Sequence, residues 1–342
     1  MEALENLAQR LEEKRPQLEA PGKDGIFVSE QPDSSWVTST VYKLDDMIAG
    51  IRRMVENEVD GLRFFVGENT SEQELAYGRV NLAAFLAQAM QESIRYDVCD
   101  ENNWDMIDGG YPIANSCGQL GQSYQDYDES PYRCQVDPDM TFTASTNAKW
   151  WGAPPPLVCG PKSKYPTTGY WNPYAACEDG NCNAYEGQLG GALVDTTTPN
   201  MAGRTDVEGC CWWGRGAIQL TGISNYGILN HFMGKGSGIY DDIDFCTDPQ
   251  AVCSSTEHPE LKWISGLFYW LRSVQTFNSG GFNYMESLKE YVDQGIHSSA
   301  KGPFIQKVSC VVNRGRPDCP DLHGGPQRAQ NFDLILDILL GN

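Results

Sequence analysis

The chain has 342 residues, which is enough for one large domain or two smaller ones with a substantial core. Its 46 acidic residues against 25 lysines and arginines give a formal net charge of −21. We therefore expect no nucleic-acid partner, because no basic run could follow a phosphate backbone. The charge also disfavours anionic membranes and anionic polymers, whereas a neutral polysaccharide carries no such penalty.

In chain order, residues 1–38 predict a short charged helix followed by a linker, an extension that precedes a main domain over 39–342. The first 20 residues carry too many charges for the core of a signal peptide. If the protein is secreted, we expect its leader to be missing from this chain or replaced. The sequence contains no run of about 18 apolar residues, so we predict no membrane span.

Two amphipathic helices are predicted next. Between Val41 and Val59, apolar residues recur at three- and four-residue steps after a Ser/Thr cluster that can cap the helix. A second helix is predicted from Ser71 to Tyr96, with Thr70 or Ser71 as its cap. Helical patterns return after Gly222 and cover 260–274, 284–292, 304–312 and 327–340. The predicted fold class is therefore mainly α.

A cysteine-rich insertion separates these helical regions. From about residue 99 to 209 the chain is rich in Gly, Pro, Asn, Tyr and Cys, which predicts loops held by disulfides. Twelve cysteines are an even number, and disulfides indicate an oxidising compartment, so we expect secretion. The spacing does not determine the pairing. It does disfavour zinc, because neither Cys177 with Cys182 nor Cys210 with Cys211 forms a C-x-x-C pair, and no histidine is close in sequence.

Two stretches carry candidate chemistry. In 83–93, Glu92 lies near the end of an apolar helix, where partial burial would keep a carboxylic acid protonated as a proton donor. The alternative is an ordinary solvated glutamate at a helix end. In 210–227, Trp212 and Trp213 precede glycines and short polar residues, a composition typical of a sugar-binding cleft. The alternative there is core tryptophans beside turn glycines.

Taken together, FLAQ-x-x-x-E at 85–92 and GRG-x-IQLT-x-x-x-NYG at 214–227 resemble glycoside hydrolase family 19, the plant-type chitinases. A third block agrees, because Val311 to Gly315 is similar to the family's I-I-N-G-G. Arg328 also precedes a terminal D-I-L at the family's spacing. The resemblance implies a bilobal, lysozyme-like helical fold with a cleft. It also implies an inverting, endo-acting chitinase.

The resemblance implies a role for each matching residue. Glu92 would be the general acid, Thr221 would position the attacking water, and Arg328 would lie close to the acid. Asp318 would stand in for a carboxylate that the family pairs with this arginine. Gln219, Asn225 and Asn313 would hydrogen-bond the glycan. Trp212 and Trp213 are not among the residues that the resemblance assigns, and we expect them to bind it because flat sugar faces pack on indoles.

The general base falls in the long insertion, where counting residues does not align the chain with the family. We predict Glu186, which lies 28 residues before Gly214, and keep Glu178 as the alternative. The carboxyl groups of an inverting pair stand roughly 6.5 to 9.5 Å apart. A minor alternative is a calcium site, because Asp179, Asn181, Asn183 and Glu186 alternate like oxygen ligands, although the full twelve-residue loop is absent.

One departure from the family pattern bears on activity, because Gln91 replaces the histidine before the catalytic glutamate. We expect a secreted monomer that hydrolyses chitin or chitooligosaccharides without a cofactor or metal. Two alternatives stay open. One is a chitin-binding matrix protein that has little or no turnover. The other is a lysozyme-like enzyme acting on peptidoglycan, which the net charge disfavours.

Overall fold

The computed structural model describes residues 1–100, 140–144, 157–161, 214–295, 301–320 and 322–341. These residues are mostly helical with few strands, which confirms the predicted mainly α class. They form two compact units. Unit 1 comprises 1–98 and 259–342, and unit 2 comprises 99–258.

The elements are numbered in chain order within the described residues. The helices are α1 (Glu2–Glu13), α2 (Arg15–Leu18), α3 (Leu44–Glu56), α4 (Glu72–Glu92), α5 (Ile223–Met233), α6 (Ala251–Ser254), α7 (Leu261–Tyr269), α8 (Tyr284–Asp293), α9 (Lys301–Arg314) and α10 (Gly325–Leu340). A 3₁₀ turn at Ile94–Tyr96 follows α4, and a π turn at Trp270–Val274 follows α7. Three antiparallel strand pairs are β1 (Val28–Glu30) with β2 (Trp36–Thr38), β3 (Met140–Ala144) with β4 (Leu157–Pro161), and β5 (Asn278–Ser279) with β6 (Phe282–Asn283).

Helix α4 is the central helix of unit 1. It begins at Ser71, whose side chain accepts a hydrogen bond from the backbone N–H of Glu74, so the predicted cap is confirmed. From Tyr77 to Gln91 nearly every residue is buried. A helix that is apolar on all sides needs neighbours all round it, and α1, α8, α9 and α10 supply them. The end of α4 is therefore held rigidly.

A buried asparagine organises the core beside α4. Asn81 donates to the carbonyl of Phe65 (2.8 Å) and accepts from the indole N–H of Trp270 (3.0 Å) and the hydroxyl of Tyr284 (2.7 Å). A buried amide must be paired, and this one is paired with both neighbours and backbone. It thereby fixes the register of α4 against the π turn and α8.

The N-terminal segment differs from its prediction as an extension outside the main domain. Helix α1 forms, but Leu4, Leu7 and Leu11 are buried, and the helix packs against α3 and α4. Arg10 donates to the carbonyls of Leu339 and Gly341 at the end of α10. The physical reason is the three- and four-residue leucine spacing, which gives an otherwise charged helix one apolar face.

In unit 2 the insertion contains regular structure that the sequence did not predict. Strands β3 and β4 pair with Met140 opposite Pro161, and α5 packs against them. Disulfides also cross-link this unit, since Cys99 joins Cys253 and Cys159 joins Cys246.

Disulfide bonding is confirmed for six of the twelve cysteines, because Cys310 also joins Cys319 in unit 1. The other six cysteines, including those weighed as a zinc site, lie outside the described residues. Among the described helices, none combines the length and apolar character needed to cross a bilayer.

Asp97 ties the chain after α4 to the segment before α3. Its carboxylate accepts from Ser39 and from the backbone and hydroxyl of Thr40, and from the backbone of Val41 at 3.0 Å. Burial alone would raise the pKa of Asp97, but these hydrogen bonds outweigh burial and lower the pKa below its ordinary value of 3.8. The carboxylate therefore stabilises the fold in its ionised form.

We expect Asp97→Ala to lower the free energy of unfolding by about 2 kcal/mol at neutral pH. Because the folded pKa is lowered, the stabilisation is fully present above pH 3.8 and is lost as the pH falls through the folded pKa. Urea unfolding at several pH values measures this loss. Asp33→Ala is the control and should change stability little, because this carboxylate lies in an exposed turn and, in the part of the chain that the structure describes, accepts hydrogen bonds only from Ser35. An equal effect of both variants would contradict the assignment.

Candidate active site

Glu92 and Gln88 lie one helical turn apart at the end of α4 and so share a face of the helix. Arg328, from the first turn of α10, reaches both side chains. Its Nη1 donates to Gln88 Oε1 at 2.7 Å, and its Nη2 donates to Glu92 Oε1 at 2.5 Å. The side chain of Arg328 is 2% exposed and that of Glu92 is 25% exposed. One edge of the Glu92 carboxylate is thus anchored while the side chain keeps access to solvent.

Asn313 joins the same cluster from the end of α9. Its Oδ1 lies 3.5 Å from Arg328 Nη2, and its amide nitrogen donates to the carbonyl of Ser309 at 2.9 Å. The backbone carbonyl of His323 accepts from Arg328 Nε at 3.3 Å. All three guanidinium nitrogens therefore donate hydrogen bonds, to groups in α4, at the end of α9 and just before α10. These bonds fix the position of the guanidinium. The structure brings together Glu92, Asn313 and Arg328, three of the predicted residues.

Asp318 is not part of this cluster. It is exposed, and within the described residues it makes no ion pair with Arg328. Asn313 lies within α9 and reaches the arginine from that helix, whereas Asp318 lies beyond the helix end, just before the disulfide-bonded Cys319. The structure therefore does not support Asp318 as the arginine's acidic partner.

Gln91, which replaces the family's histidine, is 8% exposed and packs against the backbone of Gly324. Gly324 has a φ of +67°, which favours glycine, and a Cβ there would lie 2.8 Å from the Gln91 amide. Gln91 Oε1 is buried and has no hydrogen-bond partner among the described residues. Its amide borders the segment that carries the carbonyl bound to Arg328.

In unit 2 the predicted polar residues hold the 214–226 segment by local hydrogen bonds. Gln219 has a φ of +57°, and its side-chain nitrogen donates to the carbonyls of Cys99 (3.1 Å) and Gly216 (3.0 Å). The hydroxyl of Thr221 donates to the carbonyl of Gln219 at 2.9 Å, and Asn225 Nδ2 donates to the carbonyl of Thr221 at 2.8 Å. The donors are thus largely occupied, whereas the Thr221 oxygen retains lone pairs that can accept.

Arg215, the arginine of the G-R-G motif, is a buried anchor for this segment. It pairs with Asp100 (3.3 Å), both side chains being 2% exposed. It also donates to Gln250 (3.2 Å) and to the hydroxyl of Tyr226 (3.1 Å). A buried charge held by this many partners fixes the backbone around it. The motif therefore has a structural role as well as the binding role implied for its neighbours.

No family model, curated protein or solved structure matches the chain. The resemblance to family 19 therefore depends on the sequence blocks, and the roles it implies remain proposals. Among those roles, Glu186, its alternative Glu178, and the calcium reading of 179–186 all lie outside the described residues. Trp212 and Trp213 lie outside them as well.

Two residues of the cluster were missed by the sequence reasoning. Gln88 is fully buried and donates to Ser309 at 3.0 Å while accepting from Arg328, and its four-residue spacing from Glu92 was the available signal. Tyr269, at the end of α7, lies near the acid. Burial and the negative charge of Glu92 raise the pKa of its phenol. No local pattern links Tyr269 to Glu92, which lies far away in sequence.

Proposed function

We propose that this chain is a chitinase that hydrolyses β-1,4-linked N-acetylglucosamine polymers with inversion, and that Glu92 is its proton donor. The observation that carries the proposal is the contact of Glu92 with the buried Arg328 at the end of a rigid helix. The lysozyme-like fold and endo action that the resemblance implies are part of the proposal. The disulfides support an extracellular setting.

Arg328 favours the charge distribution that proton donation creates. The contact with Arg328 engages Oε1 of Glu92, so we assign proton donation to the other oxygen, Oε2. As that proton moves to the glycosidic oxygen, negative charge develops on the carboxylate. A guanidinium already bound at 2.5 Å stabilises this charge without moving. Gln88, Asn313 and His323 keep the guanidinium in place.

The hydroxyl oxygen of Thr221 is free to accept a hydrogen bond from a nucleophilic water and so to position it. Because its own proton is given to the carbonyl of Gln219, its oxygen can only accept a further hydrogen bond. A water that donates one hydrogen to this oxygen and the other to a base directs a lone pair at the anomeric carbon. We assign the base to Glu186, with Glu178 as the alternative. The neutral charge of chitin suits a chain with a net charge of −21.

The stereochemistry of the first product tests the mechanism. We expect proton NMR of a chitin hexasaccharide digest to show the α-anomer of the new reducing end before mutarotation, because inversion of a β-linkage gives the α-anomer. Early appearance of the β-anomer would contradict the inverting mechanism. Absence of any product would contradict the proposal that the protein is a hydrolase. If the oligosaccharide still binds, that absence would favour the chitin-binding alternative, which the buried Gln91 in place of histidine motivates.

A further inference from the structure

A second group of titratable side chains lies in unit 2, in segments that the proposed chemistry does not use. Asp242, Glu257 and His258 each bring one ligand-capable atom within 4.8 Å of the others. We propose that these three side chains bind a divalent transition-metal ion of the zinc class. Imidazole nitrogen combined with carboxylate oxygen is a ligand set that zinc takes, whereas calcium takes oxygen ligands.

The spacing of the first two ligands fits a tetrahedral ion. His258 Nε2 and Asp242 Oδ2 are 3.3 Å apart. Metal–ligand bonds of about 2.0 to 2.1 Å place neighbouring ligand atoms of a tetrahedron about 3.3 to 3.4 Å apart. A charge-assisted hydrogen bond between the same atoms is normally shorter, at about 2.7 to 2.9 Å. A carboxylate oxygen of Glu257, the third proposed ligand, lies within 4.8 Å of the other two ligand atoms, and this side chain is exposed.

Asp242 is distinguished from the acidic residues on either side of it. Asp241 accepts from the backbone N–H groups of Gly236 (3.0 Å) and Gly238 (2.8 Å). Asp244 accepts from Asn230 and from the backbone of Cys246. These two carboxylates hold the loop in shape, whereas the carboxylate of Asp242 is directed at the imidazole of His258.

His258 is held in place by its own neighbours. Its backbone N–H donates to the Ser255 hydroxyl at 3.1 Å, and its ring meets the fully buried Tyr240 ring edge-on, with centroids 5.0 Å apart. Both ligand-bearing segments are also anchored covalently, since Cys246 and Cys253 are disulfide-bonded. Ligands that are already positioned lose less conformational freedom when an ion binds.

The proposed ion has a structural role. Three protein ligands leave the fourth tetrahedral position to water. The ion neutralises two adjacent carboxylates of a strongly acidic chain and joins the loop that ends at Cys246 to the segment after α6. We therefore expect zinc to raise the melting temperature of the protein, because an ion that binds only the folded state stabilises it.

Calorimetric titration of the EDTA-treated full chain with zinc chloride tests the proposal. We expect one saturable site, weakened at least about tenfold in His258→Ala and in Asp242→Asn. His231→Ala, which removes an exposed histidine of the same unit outside the cluster, should bind zinc like the wild type. Zinc should raise the melting temperature of the wild type and of His231→Ala.

The same titrations contain the results that would overturn the proposal. Lack of saturable zinc binding by the wild type would do so, as would unchanged affinity in both His258→Ala and Asp242→Asn. Calcium binding as tight as zinc binding, and insensitive to His258→Ala, would also overturn it because it would indicate an oxygen-only site. Asp242 is exposed and His258 is partly exposed, and circular dichroism of the zinc-free variants verifies that they fold.

Discussion

We expect Glu92→Gln to lower the rate of chitooligosaccharide hydrolysis by at least about a hundredfold and to leave binding of the oligosaccharide largely intact. General acid catalysis contributes about 10²- to 10⁴-fold, and an amide has no acidic proton to give. The substitution keeps the size of the side chain and an oxygen that can accept from Arg328 Nη2, so the cluster persists. The measurement compares turnover of a chitin hexasaccharide with its affinity determined by calorimetry.

The matched control for Glu92→Gln is Glu72→Gln, at the exposed first turn of the same helix. It makes the same chemical change and should leave turnover unchanged. If Glu92→Gln keeps more than about a tenth of the wild-type rate, Glu92 is not the proton donor. If the wild type and Glu92→Gln are equally inert and both bind chitin, the protein is a binding protein rather than an enzyme.

We expect Arg328→Met to destabilise the protein by about 3 kcal/mol and also to lower turnover. The substitution removes the donor to the fully buried Gln88 Oε1 and to the partly exposed carboxyl group of Glu92, and a buried acceptor left without its donor is costly. Methionine retains much of the apolar volume of the arginine side chain. The loss of stability therefore measures the missing charge and hydrogen bonds rather than the creation of a cavity. Urea unfolding measures the stability, and the hexasaccharide assay measures the turnover.

A double-mutant cycle separates the ion pair from the rest of the arginine's contacts. Because Glu92→Gln replaces the ionisable carboxyl group by a neutral amide, Arg328→Met should cost less stability in that variant than in the wild type, by about 1 kcal/mol or more. Arg328→Lys keeps the positive charge but loses the planar guanidinium with its paired donors. We expect its stability to lie between that of the wild type and that of Arg328→Met. Strictly additive effects of the two substitutions would contradict an energetic role for the ion pair.

The helices of unit 1 were predictable because their signals are local. Apolar spacing located α3 and α4, and Ser71 capped α4 as predicted. The leucine spacing in α1 also predicts a helix with one apolar face. The many charged residues of α1 nevertheless led us to predict an extension outside the main domain. Strands of two or three residues, such as β1 and β5, are too short to produce a periodic signal, and their pairing depends on tertiary contacts.

The candidate site was predictable only in part, for the same physical reason. Gln88 and Glu92 share a helix face that their spacing reveals, whereas the contact between Glu92 and Arg328 spans 236 residues. That contact was expected from the family resemblance and not from any local pattern. Asp242 and His258 are 16 residues apart in irregular segments, so no periodic pattern brings them together, and only the folded loop does.

A crystal structure of Glu92→Gln with a bound chitin hexasaccharide tests the central claim most directly. We predict that one glycosidic oxygen lies within about 3.2 Å of the side chain at position 92, the distance that proton transfer requires. Density for the oligosaccharide with every glycosidic oxygen beyond hydrogen-bonding reach of that side chain would contradict the account.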